Sequence, residues 1–124
     1  MLRILESQMG QLAAREQAAF IARTRPLLRE RYAERTAAMS DAELTGVIEQ
    51  GMSAARGYGI ERARGVERFL DLMFQLGLDF DRSVGWAHEI LNRRDFTGQI
   101  RIDVLCAAHE GRIPEDPEEG PFFP

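Results

Sequence analysis

Apolar residues along the first forty positions recur at the spacing of an amphipathic helix. They lie three or four positions apart, or at sums of these intervals, with arginine, glutamate and glutamine between them. The positions of this stripe are Leu5, Met9, Leu12, Phe20, Leu27, Leu28 and Tyr32. Pro26 lacks an amide hydrogen and disfavours helical geometry at the residue before it. The pattern therefore predicts helical segments near residues 4–24 and 26–38, with a kink or a break at Pro26.

A capping box predicts where the next helix begins. In Ser40-Asp41-Ala42-Glu43, the hydroxyl of Ser40 can accept the amide hydrogen of Glu43, and the Glu43 carboxylate can accept that of Ser40. The buried stripe of this helix is predicted to be Leu44, Val47, Ile48 and Met52. The helix is expected to end at Gly57-Tyr58-Gly59, because glycine adopts the left-handed cap conformation without a Cβ clash.

The most apolar segment of the chain runs from Arg62 to Leu76. Its apolar positions are Val66, Phe69, Leu70, Leu72, Met73, Phe74 and Leu76. They cover more than one face of a helix, which favours a central, largely buried element. Gly77 is the expected C-cap of this helix.

Two shorter helices are predicted near residues 83–93 and 98–110. Asp79 and Asp81 suit the N-terminus of the first, and Thr97 is the expected N-cap of the second. The residues expected to face the core are Val84, Trp86, Ala87, Ile90 and Leu91 in the first helix, and Ile100, Val104, Leu105 and Ala108 in the second.

No segment alternates apolar and polar residues over the length of a strand, and β-branched residues are scattered. We therefore predict an all-α, single-domain bundle of five or six helices over residues 1–110. Residues 111–124 carry prolines, glycines and carboxylates that cannot continue a helix. They are expected to form a disordered or extended acidic tail.

Charge and composition narrow the classes of function. The 124 residues carry 16 basic side chains, all arginine, against 20 acidic ones, for a net charge of −4. This acidic balance argues against a nucleic-acid partner held by phosphate contacts. No membrane span and no export signal are apparent, so no membrane partner is expected. Cys106 is the only cysteine, which excludes an internal disulfide and suits a reducing cytoplasm.

Candidates for catalysis are few. Cys106 and His109 are three positions apart on the last predicted helix and could pair as nucleophile and base, although a free cysteine more often fills a core. Zinc prefers about four ligands, and the only other histidine is His88. Asp79 and Asp81 resemble a fragment of a calcium loop, but helix capping explains them more simply. We therefore expect neither an enzyme nor a cofactor or metal.

Two features favour binding to another protein. One is the basic stretch of the first helical region, with Arg25, Arg29 and Tyr32 as candidate contacts; its simpler explanation is a solvated face with local ion pairs. The other is the tail, where Phe122 and Phe123 lie between prolines and could dock with little loss of entropy. A tail that is disordered, or that packs back on its own domain, is the alternative.

Several segments together resemble a known group of small helical proteins. They are Tyr58-Gly-Ile60, Val66-Glu-Arg-Phe-Leu-Asp-Leu-Met73, Leu76-Gly-Leu-Asp-Phe-Asp81, Trp86-Ala87 and Ile90-Leu91, preceded by the Gln- and Ala-rich stretch from Leu2 to Phe20. The pattern is similar to accessory proteins encoded in type VI secretion clusters, beside adaptor chaperones and effectors. The resemblance covers about residues 1–108, and its motifs are mostly packing motifs.

The resemblance implies a cytoplasmic co-chaperone that binds an adaptor chaperone, or its complex with an effector, before the effector is loaded for secretion. The resemblance assigns no catalytic residue to this chain, and it does not extend to the proline-rich tail. Pairing with a second copy through the N-terminal helix stays open. The alternatives are an immunity protein that blocks a toxin, a small helical transcriptional regulator and a hydrolase using Cys106 and His109.

Overall fold

The computed structural model describes the backbone of residues 2–111 and the side chains of residues 14–111. Within this part of the chain there are seven helices and no strand, which confirms the all-α prediction. The helices are α1 (Leu2–Arg31), α2 (Ala33–Thr36), α3 (Asp41–Gly57), α4 (Ala63–Leu76), α5 (Phe80–Ser83), α6 (Gly85–Leu91) and α7 (Gly98–His109). The chain divides into two compact units, residues 1–49 and residues 50–124.

The break predicted at Pro26 is in the wrong place. Helix α1 continues through Pro26 to Arg31, and the interruption falls at Tyr32, whose φ of −125° and ψ of 52° are not helical. Proline removes the hydrogen bond to the carbonyl of Ala22, but Ala22 and Pro26 are both exposed, so water can take the place of the missing donor. Among residues 14–31 of α1, the buried ones lie on a different face; they are Phe20, Thr24 and Leu28.

The capping box of α3 is confirmed. The Ser40 hydroxyl oxygen accepts from the Glu43 amide at 3.0 Å, and a Glu43 carboxylate oxygen accepts from the Ser40 amide at 2.8 Å. These two hydrogen bonds favour the ionised carboxylate and hold the pKa of Glu43 below its ordinary value. Of the predicted core positions on α3, Leu44 and Ile48 are fully buried, whereas Val47 and Met52 are only half-buried.

Helix α3 ends in a glycine cap, as the sequence predicts. Gly59 has a φ of 82°, its amide donates to the carbonyl of Arg56, and the amide of Ile60 donates to that of Ala55. This pair of hydrogen bonds is the Schellman motif. The same turn receives the start of α7, because the backbone of Gly98 lies against the Gly59 carbonyl.

Helix α4 is the central element of the second unit, as predicted. Half of its length is buried, at Gly65, Val66, Phe69, Leu70, Leu72, Met73 and Phe74. Gly51 of α3 is buried against it, where a Cβ would meet the side chains of Leu70 and Met73. Gly77 caps the helix with a φ of 128° and a hydrogen bond from its amide to Met73.

The predicted helix near 83–93 is α6, in which Ala87 and Leu91 are buried, and the one-turn helix α5 precedes it. Asp79 and Asp81 do lie at a helix N-terminus, as the N-cap residue and in the first turn of α5, but side-chain capping is wrong here because the Asp79 side chain accepts from no amide. Helix α7 begins as predicted, with the Thr97 hydroxyl accepting from the amide of Ile100. Ile100 itself is 42% exposed, and the residues that α7 buries are Ile102 and Leu105.

Candidate functional site

The N-terminal part of α1 carries no buried side chain before Phe20 among the described residues. Positions 14 to 19 are all exposed or half-exposed, and Phe20 is the first buried one. Helical backbone nevertheless extends from Leu2, and a helix of 30 residues is about 45 Å long. We refer to residues 2–19 as the α1 arm. The arm includes the apolar stripe that the sequence predicts at Leu5, Met9 and Leu12.

The three candidate contacts of the basic stretch lie where α1 meets α2 and α3. Arg25 donates from Nη1 to the hydroxyl of Thr45 at 2.9 Å. Tyr32 is half-buried at the break between α1 and α2, where its carbonyl accepts from the amide and the hydroxyl of Thr36, both at 2.9 Å. The structure therefore gives Arg25 and Tyr32 roles within the first unit, and their part in partner binding stays a prediction.

Arg29 donates to three acceptors between α2 and the start of α3. Its Nη1 donates to the carbonyl of Thr36 at 3.0 Å, and its Nη2 donates to the carbonyl of Met39 at 3.0 Å. Nη2 also donates to Asp41 Oδ1 at 2.8 Å, forming an ion pair at the start of α3. One guanidinium thus satisfies two backbone carbonyls of the connection before α3. The remaining candidate contacts, Phe122 and Phe123, lie outside the described residues.

Cys106 and His109 share a surface cleft of about 140 Å³ in the second unit. His109 Nε2 lies 2.6 Å from the side-chain oxygen of Gln75, and the ring of Trp86 stacks near that of His109 with centroids 6.5 Å apart. The cleft is lined by Arg68, Asp71, Leu72, Gln75, Cys106, His109 and Glu110. Cys106 is half-buried and not part of the core, which corrects the sequence-based expectation.

The environment of Cys106 favours the neutral thiol. Burial raises the pKa of the Cys106 thiol above its ordinary value, and the opposing effect of the Arg68 guanidinium is smaller. Arg68 is itself paired with Asp103 at 2.8 Å. Because the thiolate is the nucleophilic form of cysteine, this environment does not activate Cys106 for covalent catalysis.

A carboxylate that the sequence analysis assigned to a helix N-terminus is buried on α5. Asp81 is 9% exposed, and its Oδ2 accepts from the hydroxyl of Tyr58 at 2.8 Å. Burial, together with this hydrogen bond and the charge of Asp81, raises the pKa of Tyr58 to about 12. The phenol therefore stays protonated and continues to donate at neutral pH. The Tyr58 ring lies beside Phe69, which in turn contacts Phe80.

Metal-ligating side chains do not gather in the described part of the chain. Among those residues there is no group of three or more histidine, cysteine, aspartate or glutamate side chains that could hold an ion. His88 is exposed, with Nδ1 3.2 Å from the carbonyl of Asp81. Nor is any helix within residues 2–111 both long enough and apolar enough to cross a bilayer.

Sequence reasoning missed the long-range contacts that organise the second unit. Arg101 donates to the carbonyl of Tyr58 at 2.6 Å and to the carbonyl of Arg93 at 2.8 Å. Tyr58 and Arg101 are 43 positions apart, so no local spacing signals their contact. The one available sign was Tyr58 between two glycines, a bulky residue in a turn where small polar ones are more common.

The chain has no significant match to a protein-family model, a curated protein or a solved structure.

Proposed function

We propose that this chain is a protein-binding accessory factor whose α1 arm contacts a partner protein. The observation that carries the proposal is the absence of any buried side chain at positions 14 to 19 of a helix that begins at Leu2. A segment that is already helical loses little further backbone entropy when it docks as a helix.

The apolar stripe of the arm supports a helix-in-groove mode of binding. Leu5, Met9 and Leu12 follow the spacing of an amphipathic face, which in this mode supplies the anchors that enter a partner's groove. Methionine suits such a face because its flexible thioether adapts to irregular surfaces. A second copy of this chain is an alternative occupant of the same stripe.

The more specific proposal is a cytoplasmic co-chaperone that assists effector loading in type VI secretion. It rests on the resemblance of the segments between Tyr58 and Leu91 to accessory proteins of these clusters. Many of those residues form the core of the second unit, including Phe69, Met73 and Phe80. They therefore support a common scaffold and leave the choice of partner to the exposed surface.

Affinity capture from the native host, with adaptor chaperone and effector identified by mass spectrometry, tests the proposal. We expect the double variant Leu5→Glu, Met9→Glu to lose the captured chaperone, because two carboxylates would have to be desolvated in an apolar groove. The matched control is Ser7→Glu, Gln11→Glu, which adds the same charge away from the predicted stripe. The control should retain the chaperone.

Other outcomes would contradict the proposal. Capture of a toxin domain alone would indicate an immunity protein, and salt-sensitive binding to duplex DNA would indicate a regulator. Equal capture by both double variants would exclude the predicted stripe as the binding surface. Concentration-dependent dimers that only the stripe variant abolishes, without capture of a chaperone, would assign the arm to self-association.

A further inference from the structure

A second surface cleft, of about 390 Å³, opens beside Asp81 in the second unit. Its polar edge includes Gln50 and Ser53, which are exposed residues of α3. The full lining consists of Gln50, Ser53, Ala54, Met73, Leu78, Asp81 and Arg82. The cleft thus combines apolar walls with one buried carboxylate.

The Asp81 carboxylate has unused capacity to accept hydrogen bonds. Tyr58 donates to Oδ2, but no residue among 14–111 donates to Oδ1. The nearest cationic atom is Nε of Arg82, 4.0 Å from Oδ1, on a side chain that is 70% exposed. An ionised carboxylate offers about four acceptor positions. Burial with a single neutral donor therefore leaves a negative charge that a cationic ligand would stabilise.

The apolar walls of the cleft suit the stem of a long side chain. Leu78 is 38% exposed, and it is one of only two large hydrophobic residues with such exposure in the described part of the chain. The half-buried Ala54 adds to the apolar surface, and Met73, which is buried, also lines the cleft. Arginine buries its methylene stem against such surfaces while its charged head reaches a polar partner.

We propose that this cleft binds an arginine side chain of a partner protein, with the stem along Leu78 and the guanidinium hydrogen-bonded to Asp81. The inference rests on the proposed function as a protein-binding factor and names the chemistry of a second contact. Arginine fits better than lysine because its planar guanidinium can reach Oδ1 and the free lone pair of Oδ2 together.

Replacing Arg82 tests the direction of the expected change in affinity. Its positive charge stands at the cleft and repels an incoming guanidinium, so Arg82→Gln should tighten binding by about two- to threefold at low salt. Asp81→Asn keeps the size of the side chain and removes its charge. It should weaken binding by about tenfold or more, because a charge-assisted hydrogen bond is lost.

The probe is N-acetyl-arginine methylamide, titrated into the isotope-labelled full chain and followed by amide NMR shifts. We expect saturable shifts at Gln50, Ser53 and Leu78, and none with the citrulline analogue, which is nearly isosteric but neutral. Leu78→Ser, at an exposed position, should weaken binding several-fold by removing the apolar wall. Asp103→Asn, which removes a carboxylate elsewhere in the unit, is the matched control and should bind like wild type.

Several results would overturn the proposal. These are no saturable shift, equal binding of the citrulline analogue, or wild-type affinity in Asp81→Asn. Binding to Arg82→Gln but not to wild type would show that the chain's own Arg82 occupies the carboxylate. If Asp81→Asn does not fold, Leu78→Ser and the citrulline comparison decide. Chaperone capture through the α1 arm is measured separately, so failure of the cleft leaves the proposed function standing.

Discussion

At the scale of single residues, the polar contacts of this protein satisfy backbone carbonyls and one buried charge. Arg29 and Arg101 each donate to two carbonyls, and Tyr58 donates to the Asp81 carboxylate. The sequence predicted the local hydrogen bonds, such as the Ser40 and Glu43 box, because their partners are three positions apart. It could not predict the pairing of Tyr58 with Asp81, which depends on how α3 and α5 are placed by the core between them.

Replacing Tyr58 by phenylalanine should destabilise the protein in a pH-dependent way. The variant leaves Asp81 buried without its donor, a loss of about 1–3 kcal/mol in the free energy of unfolding. The pKa of Tyr58 is raised in the fold from 10.0 to about 12, so its contribution is fully present below pH 10 and is lost as the pH rises toward 12. The chain has no lysine, so few other groups titrate in this window.

Urea unfolding of wild type and Tyr58→Phe across this pH window measures the effect. The difference in free energy of unfolding should narrow above pH 10. Difference titration of tyrosinate absorbance between the two proteins gives the pKa of Tyr58 directly. A constant difference in stability, or ionisation of Tyr58 at its ordinary value, would contradict the assigned hydrogen bond.

Replacing Arg29 by alanine should cost about 1–3 kcal/mol, because the carbonyls of Thr36 and Met39 lose a charged donor. Asp41→Ala is the matched control. It removes the ion pair and one acidic residue of the first turn of α3 but leaves Arg29 on both carbonyls. The Asp41 side chain is 75% exposed, so this variant should cost less than about 1 kcal/mol. Chemical denaturation measures both values. Equal losses in the two variants would show that the carbonyl contacts contribute little.

At the scale of helices, the sequence correctly predicted the starts and ends that depend on local hydrogen bonds. It predicted the buried faces only in part. The caps at Ser40, Gly77 and Thr97 are confirmed. The break at Pro26 is wrong, because the exposed residues around it let water replace the missing donor. The predicted inward face of α7 is right at Leu105 and wrong at the exposed Ile100, and it omits the buried Ile102. Short helices have too few turns for periodicity to specify which side is buried.

Replacement by alanine should have opposite effects on stability at Gly98, where α7 begins against the turn after α3, and at Gly46, where there is open space. A Cβ at Gly98 would overlap the carbonyl of Gly59, so Gly98→Ala should destabilise by about 1–3 kcal/mol. A Cβ at Gly46, inside α3, meets nothing within 4 Å, so Gly46→Ala should stabilise by about 0.5–1 kcal/mol. Thermal unfolding measures the stability of both variants. A Gly98→Ala variant as stable as wild type would contradict the close approach of the Gly98 and Gly59 backbones.

At the scale of the whole molecule, the all-α class followed from the sequence because helical periodicity is a local signal repeated along the chain. Binding surfaces carry no comparable signal. The sequence placed contacts at Arg25, Arg29 and Tyr32, and the structure shows these residues holding the connections between α1, α2 and α3. The Asp81 cleft went unnoticed because its lining residues come from three separate stretches of the chain.

Photo-cross-linking from the α1 arm in the native host tests the central claim most directly. Benzoylphenylalanine would replace Ala19, an exposed residue of the arm that lies two turns after Leu12 on the face of the predicted stripe. In a control chain it would replace Ala63, an exposed residue at the start of α4. We predict an adduct with an adaptor chaperone, or with its effector complex, from position 19 and little or none from position 63. No adduct from position 19 above that of the control would contradict the proposal.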